Sequence, residues 1–117
     1  MKNIAKIVMI MTLVLPLPLF ADGHVADFSD AMSGTVELTV ENKGLAFVTE
    51  TIIVKKGTTV ELTFVNTGGF HDWVLDEFDA ATSQIRAGQS ETIEFVADMA
   101  GEFEFYCSVG NHRRAGM

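Results

Sequence analysis

The residues best equipped for chemistry sit together near the carboxyl end, in the stretch GEFEFYCSVGNHRRAGM from Gly101 to Met117. It holds the chain's single cysteine, Cys107. His112 follows after four intervening residues and Met117 after four more. A thiolate, an imidazole and a thioether on one short loop form a soft donor set. Thiolate and thioether favour Cu(I), and imidazole serves both copper oxidation states. Two imidazoles and a thiolate around copper, with a weak axial thioether, suit one-electron exchange. That arrangement needs a second imidazole, and the chain offers His71 in GGFHDWVL. The candidate metal set is therefore His71, Cys107, His112 and Met117 around one mononuclear copper ion.

Rival chemistries find less support. Zinc prefers a harder fourth donor than a thioether, or water. A binuclear copper site needs a second cysteine, which the sequence lacks. There is no G-x-S-x-G, no phosphate-binding glycine loop and no C-x-x-C, so the common hydrolase, nucleotide and dithiol readings fall away. The carboxylates Asp72, Asp76, Glu77 and Asp79 lack the regular spacing of a calcium loop and read as a solvated acidic connection.

The ligands lie far apart in sequence, so a rigid scaffold has to bring them together. The 117 residues suffice for one domain with one modest core. Strict alternation predicts half-buried strands. Thr35 to Val40 turns Val36, Leu38 and Val40 to one face, and Thr58 to Val65 turns Val60, Leu62 and Phe64 inward. A strand over His71 to Leu75 places His71, Trp73 and Leu75 on one side. Ser90 to Val96 puts Ile93 and Phe95 opposite Thr92, Glu94 and Val96, and Glu102 to Cys107 pairs Phe103 with Phe105. Asn42-Lys43-Gly44, Lys55-Lys56-Gly57 and Asn66-Thr67-Gly68-Gly69 are turn signals. Short alternating strands without an amphipathic helix predict an all-β antiparallel sandwich or barrel spanning 35–117.

The first 21 residues read differently. Lys2 and Lys6 make a positive start, Ile7 to Leu15 an apolar run, and Ala21 a cleavage position, as in a secretory signal peptide. The run is short for a membrane span of about 20 residues, so no stable membrane insertion is expected. Residues 22–34 read as a flexible acidic lead-in. Cleavage after Ala21 would expose Asp22-Gly23-His24, a square-planar nitrogen site suited to Cu(II), against the simpler reading of a solvated tail histidine. Cleavage also removes two of the eight basic residues and none of the sixteen acidic ones, taking the net charge from −8 to −10. Such a charge disfavours nucleic acid and anionic membranes as partners. An exported chain with one cysteine forms no internal disulfide, and metal ligation accounts for the thiol.

From Thr35 to Met117 the sequence resembles the cupredoxins, the small type 1 blue-copper electron carriers related to plastocyanin and azurin. The resemblance rests on the VKKG turn before a long strand, on FVNTGGFHDWVL, on IRAGQSETIEFVA and on AGEFEFYCSVGNHRRAGM. The four-residue gaps of the ligand loop are most similar to rusticyanin. The resemblance implies a Greek-key β-sandwich, with His71, Cys107 and His112 as equatorial copper ligands and Met117 as the axial one. It implies His112 as a surface electron port amid Val109, Gly110, Ala115 and Gly116. The signal peptide implies the periplasm or the outside of the cell, Met117 as a closing ligand argues against an enzyme, and a monomeric carrier is expected to serve redox partners such as a cytochrome or a terminal reductase or oxidase. The alternative is copper storage or delivery without electron transfer. Arg113 and Arg114 are expected to orient an acidic partner. Asp72 stands where plastocyanins commonly have Asn, and it is expected to bond the ligand loop near Ser108. Phe70 and Trp73 are expected to pack around the copper. Family members continue past the axial Met into a final strand, so this chain is expected to lack that strand and to expose an edge.

Overall fold

The computed structural model describes residues 5–10, 25–32 and 34–117. Two sheets carry the core. One has the order β10-β5-β3 and joins three seven-residue strands: β3 (Thr35–Glu41), β5 (Thr59–Val65) and β10 (Ser90–Val96). The other has the order β11-β1-β4-β2 and joins β1 (Lys6–Ile10), β2 (Val25–Asp27), β4 (Thr51–Lys55) and β11 (Gly101–Glu104). Two small ladders extend the fold, β6 (Phe70–His71) with β9 (Ile85–Arg86), and β7 (Val74–Leu75) with β8 (Ala80–Ala81). Among the described residues, helix is confined to a 3₁₀ turn at Asp76–Phe78 and one turn of α1 (His112–Ala115).

The inward faces follow the side-chain alternation that a pleated strand imposes. Val36, Leu38 and Val40 meet Val60, Leu62 and Phe64, and Ile52, Val54, Ile7 and Met9 close the core from the other sheet. Phe47 packs edge-on to both Phe64 and Phe105, while Trp73 stacks between Phe95 and Phe105. The all-β sandwich holds, but its pairing is mixed. β3 runs parallel to β5, and β4 runs parallel to both β1 and β2.

Two segments behave otherwise than their composition suggests. Val25–Asp27, within the acidic lead-in, forms β2 on the sheet edge. Lys6–Ile10, within the stretch read as a signal peptide, lies between β4 and β11. Ala5, Ile7 and Met9 are buried there, and Lys6 pairs with Glu102 at 3.1 Å. β11 therefore pairs with β1 on one side and remains the edge strand of its sheet. Residues 11–24 lie outside the described residues, and with them Asp22-Gly23-His24 and the cleavage position.

Candidate metal centre

His71 is delivered by a turn that two buried asparagines shape. Asn66, fully buried, donates to the carbonyls of Ile85 (2.8 Å) and Gly69 (3.1 Å) and accepts from the Gly68 amide (3.0 Å). Asn42 donates to the Gly68 carbonyl (3.0 Å) and accepts from the Thr67 amide (2.9 Å). Gly69 adopts φ +82°, and a Cβ there would stand 2.7 Å from His71 Nε2. The Nε2 edge of the ring thus lies against the turn, and the Gly68 backbone hydrogen-bonds the ring. A ring nitrogen held in this way fixes the tautomer and frees the other for a metal. Asn42 and Asn66 read in the sequence only as turn formers; their side-chain work was not legible there.

Cys107, His112 and Met117 share a closed loop. The Cys107 amide donates to the Met117 carbonyl at 2.7 Å, and the Met117 amide donates to the His112 carbonyl at 2.9 Å. Gly116, at φ 114°, reverses the chain after α1 so that Met117 returns to the core, where it is buried. The loop is stitched to the His71 segment by reciprocal backbone bonds between Val74 and Tyr106, both 2.9 Å. Asp72 extends the stitch: its carboxylate accepts the Ser108 amide at 2.6 Å and the Ser108 hydroxyl. The expected strand from His71 to Leu75 is accordingly interrupted at Asp72 and Trp73. Asp72 turns to Ser108, and the Trp73 amide donates to Thr82 Oγ1 at 3.0 Å. Both residues are buried, where strict alternation would have exposed Asp72.

These elements bring three donors to one point. His71 Nδ1 lies 3.2 Å from His112 Nδ1, and Cys107 Sγ lies 3.8 Å and 3.5 Å from those two nitrogens. Among the described residues this is the one group of histidine, cysteine and carboxylate donors close enough to share an ion. Burial holds His71 below the usual histidine range, and the nearby His112 adds to the effect. The ring is therefore held neutral, as a metal ligand must be. Burial pushes the Cys107 thiol up, while the backbone N–H groups of Asp72 and Val109 hydrogen-bond the sulfur and pull the other way. A buried thiol needs a cation to become a thiolate, and copper supplies one.

Around the half-buried His112 runs a shallow depression lined by Leu45, Gly69, Phe70 and Val109. Phe70 is exposed rather than packed inside, whereas Trp73 is wholly buried against Phe95 and Phe105. Leu45 joins the apolar rim, a position the sequence did not suggest. Gly110, Ala115 and Gly116 do not line it. Arg113 is not a free docking charge: it pairs with Glu104 at 2.9 Å and lies 3.9 Å over the Tyr106 ring. The Tyr106 hydroxyl in turn donates to Asp76.

A mixed β-sandwich with a buried histidine–cysteine–histidine cluster at one end is the architecture of a small copper protein. The family model for the cupredoxin-like domain matches residues 7–117, and the chain belongs to that family. Copper is the cofactor its soft donor set fits. The chain is 37% identical over 94 residues to the chloroplastic plastocyanin of Chlamydomonas reinhardtii, a match over 71% of this chain. It spans 61% of that relative's length. Among solved structures, reduced auracyanin from the photosynthetic bacterium Roseiflexus castenholzii superposes with TM-score 0.61 at 25% identity, over 73% of this chain and 92% of that one. Auracyanin B does so with TM-score 0.62 at 23% identity, over 69% and 83%.

Proposed function

We propose that the protein is a one-electron carrier whose copper is held by His71, Cys107 and His112, with Met117 as the axial donor. The convergence of the two Nδ1 atoms and the sulfur carries this reading. Their separations of 3.2, 3.5 and 3.8 Å put all three within reach of one ion. Bound there, copper supplies a one-electron couple. The chain's part is to hold the donors fixed between two stitched segments and to keep water from the sulfur, which is fully buried.

The half-buried His112, set in an apolar rim, supports electron exit through its ring and brief docking of other redox proteins. Arg114, exposed two residues further along α1, supports steering of an acidic partner. We place the protein in an exported compartment, on the charge and apolar pattern of its first residues. Cleavage after Ala21 would remove β1, so the mass of the exported protein separates cleavage from retention of that strand. Among the described residues no helix is long and apolar enough to cross a membrane.

The deciding experiment is a visible spectrum after one equivalent of Cu(II). An intense thiolate-to-copper band is expected, bleached by one-electron reduction and lost in Cys107→Ser. A weak band unaffected by Cys107→Ser would sink the reading.

A further inference from the structure

The Asp72 carboxylate is the unexplained charge at this site. It is 3% exposed, it directly follows His71, and its own backbone N–H hydrogen-bonds the Cys107 sulfur. Both carboxylate oxygens are engaged by Ser108, the residue after Cys107. A neutral amide would serve as a tether equally well. An asparagine oxygen accepts the Ser108 amide, and its NH₂ group donates to the hydroxyl. The hydrogen bonds therefore do not account for a charge buried here, where an ion is costly unless compensated.

The charge count supplies the reason. Cu(II) and a thiolate leave one net positive charge among neutral imidazoles, and the Asp72 carboxylate cancels it. Cu(I) and a thiolate are neutral, and the same carboxylate then leaves one net negative charge in a dry site. With a neutral residue at position 72 the order reverses: the reduced site is the uncharged one. On this basis we infer that Asp72 is a potential-setting residue, whose buried charge stabilises the oxidised centre over the reduced one. The inference rests on the copper reading above. Electron entry makes and breaks no bond; it lowers the charge of the site by one, and Asp72 opposes that step. The interaction acts through an effective dielectric of about 20 rather than that of water, so a single substitution makes a measurable difference.

The test compares copper-loaded full chains: wild type, Asp72→Asn and Ser108→Ala. Each is first checked for the thiolate-to-copper band, then titrated for its midpoint potential. Asp72→Asn is expected to keep the band and to shift the Cu(I)-over-Cu(II) affinity ratio upward about tenfold, which is about +59 mV for one electron. Ser108→Ala breaks the hydroxyl bond but keeps the charge, and should shift the potential by much less. Should Asp72→Asn fail to fold, Asp72→Ser serves as the neutral variant, with a rise again expected. An intact band with an unchanged or lowered potential in the neutral variant overturns the inference. So does a Ser108→Ala shift equal to that of Asp72→Asn, which would make Asp72 a tether only. Absence of the band in the wild type instead overturns the copper reading itself.

Discussion

In the β10-β5-β3 sheet, three strands of seven residues pair along their whole length, from Thr35 opposite Thr59 to Ser90 opposite Val65. The β11-β1-β4-β2 sheet is built from strands of three to five residues, and its second strand comes from the first ten residues of the chain. The first sheet is self-sufficient: all three of its strands come from the stretch Thr35 to Val96, and mostly polar side chains cover its outer face. The second depends on a remote segment whose loss would part β4 from β11. The metal site draws on both sides of this divide. His71 hangs from the turn that ends β5, whereas Cys107 follows β11. The better-built sheet therefore orients one imidazole, and the more dependent one carries the thiolate loop.

The largest effect should come from the dependent sheet. A chain beginning at Asp22 lacks β1 and with it the burial of Ile7 and Met9, each contributing about 1.5–3 kcal/mol, as well as the backbone pairing on both sides. Against a net stability of about 5–15 kcal/mol, its urea midpoint should fall sharply or its cooperative transition disappear. An unchanged midpoint would erase the contrast between the sheets and show that β4 and β11 need no strand between them.

A smaller effect is expected on the self-sufficient side, where the turn after β5 aims His71. Gly69→Ala meets a left-handed backbone that costs a residue with a side chain roughly 1–2 kcal/mol, and its new carbon collides with His71 Nε2. Loss of a group that orients a metal-binding histidine typically weakens metal affinity by about 10–100-fold. Copper titration should show such a drop while Cys107 and the β10-β5-β3 sheet stay in place. Full copper affinity in Gly69→Ala would mean that the turn does not position the ring.

The same contrast shows what the sequence made legible. Strands with one wet face announce themselves: Val36, Leu38, Val40 and Val60, Leu62, Phe64 alternate with polar residues, and all six are buried. Ile7–Ile10 is an unbroken apolar run without polar alternation, with Ile7 and Met9 buried. A short apolar run of that kind is indistinguishable by period from the core of an export signal. The ligand types were legible because soft donors are rare, and Cys107, His112 and His71 do converge. What escaped was the work of polar residues inside. The side-chain bonds of Asn42 and Asn66 look from sequence like turn composition, and the burial of Asp72 breaks the alternation that would have placed it outside. The partnership of Arg113 with Glu104 and Tyr106 escaped too, since it joins residues on two different elements.

The mildest test bears on whether β1 occupies its slot in the intact chain. Lys6 and Glu102 meet at 3.1 Å across the β1–β11 pair, with side chains 39% and 59% exposed. Exposed pairs of this kind contribute about 0.2–1 kcal/mol and weaken with salt. A double-mutant cycle with Lys6→Ala and Glu102→Ala, read by urea unfolding, should give a coupling in that range at low ionic strength and less at high salt. The coupling is small, but it has a specific meaning. Neither residue has a reason to sense the other unless the amino-terminal strand lies beside β11, so a coupling of zero at low salt would leave the dependent sheet without its second strand.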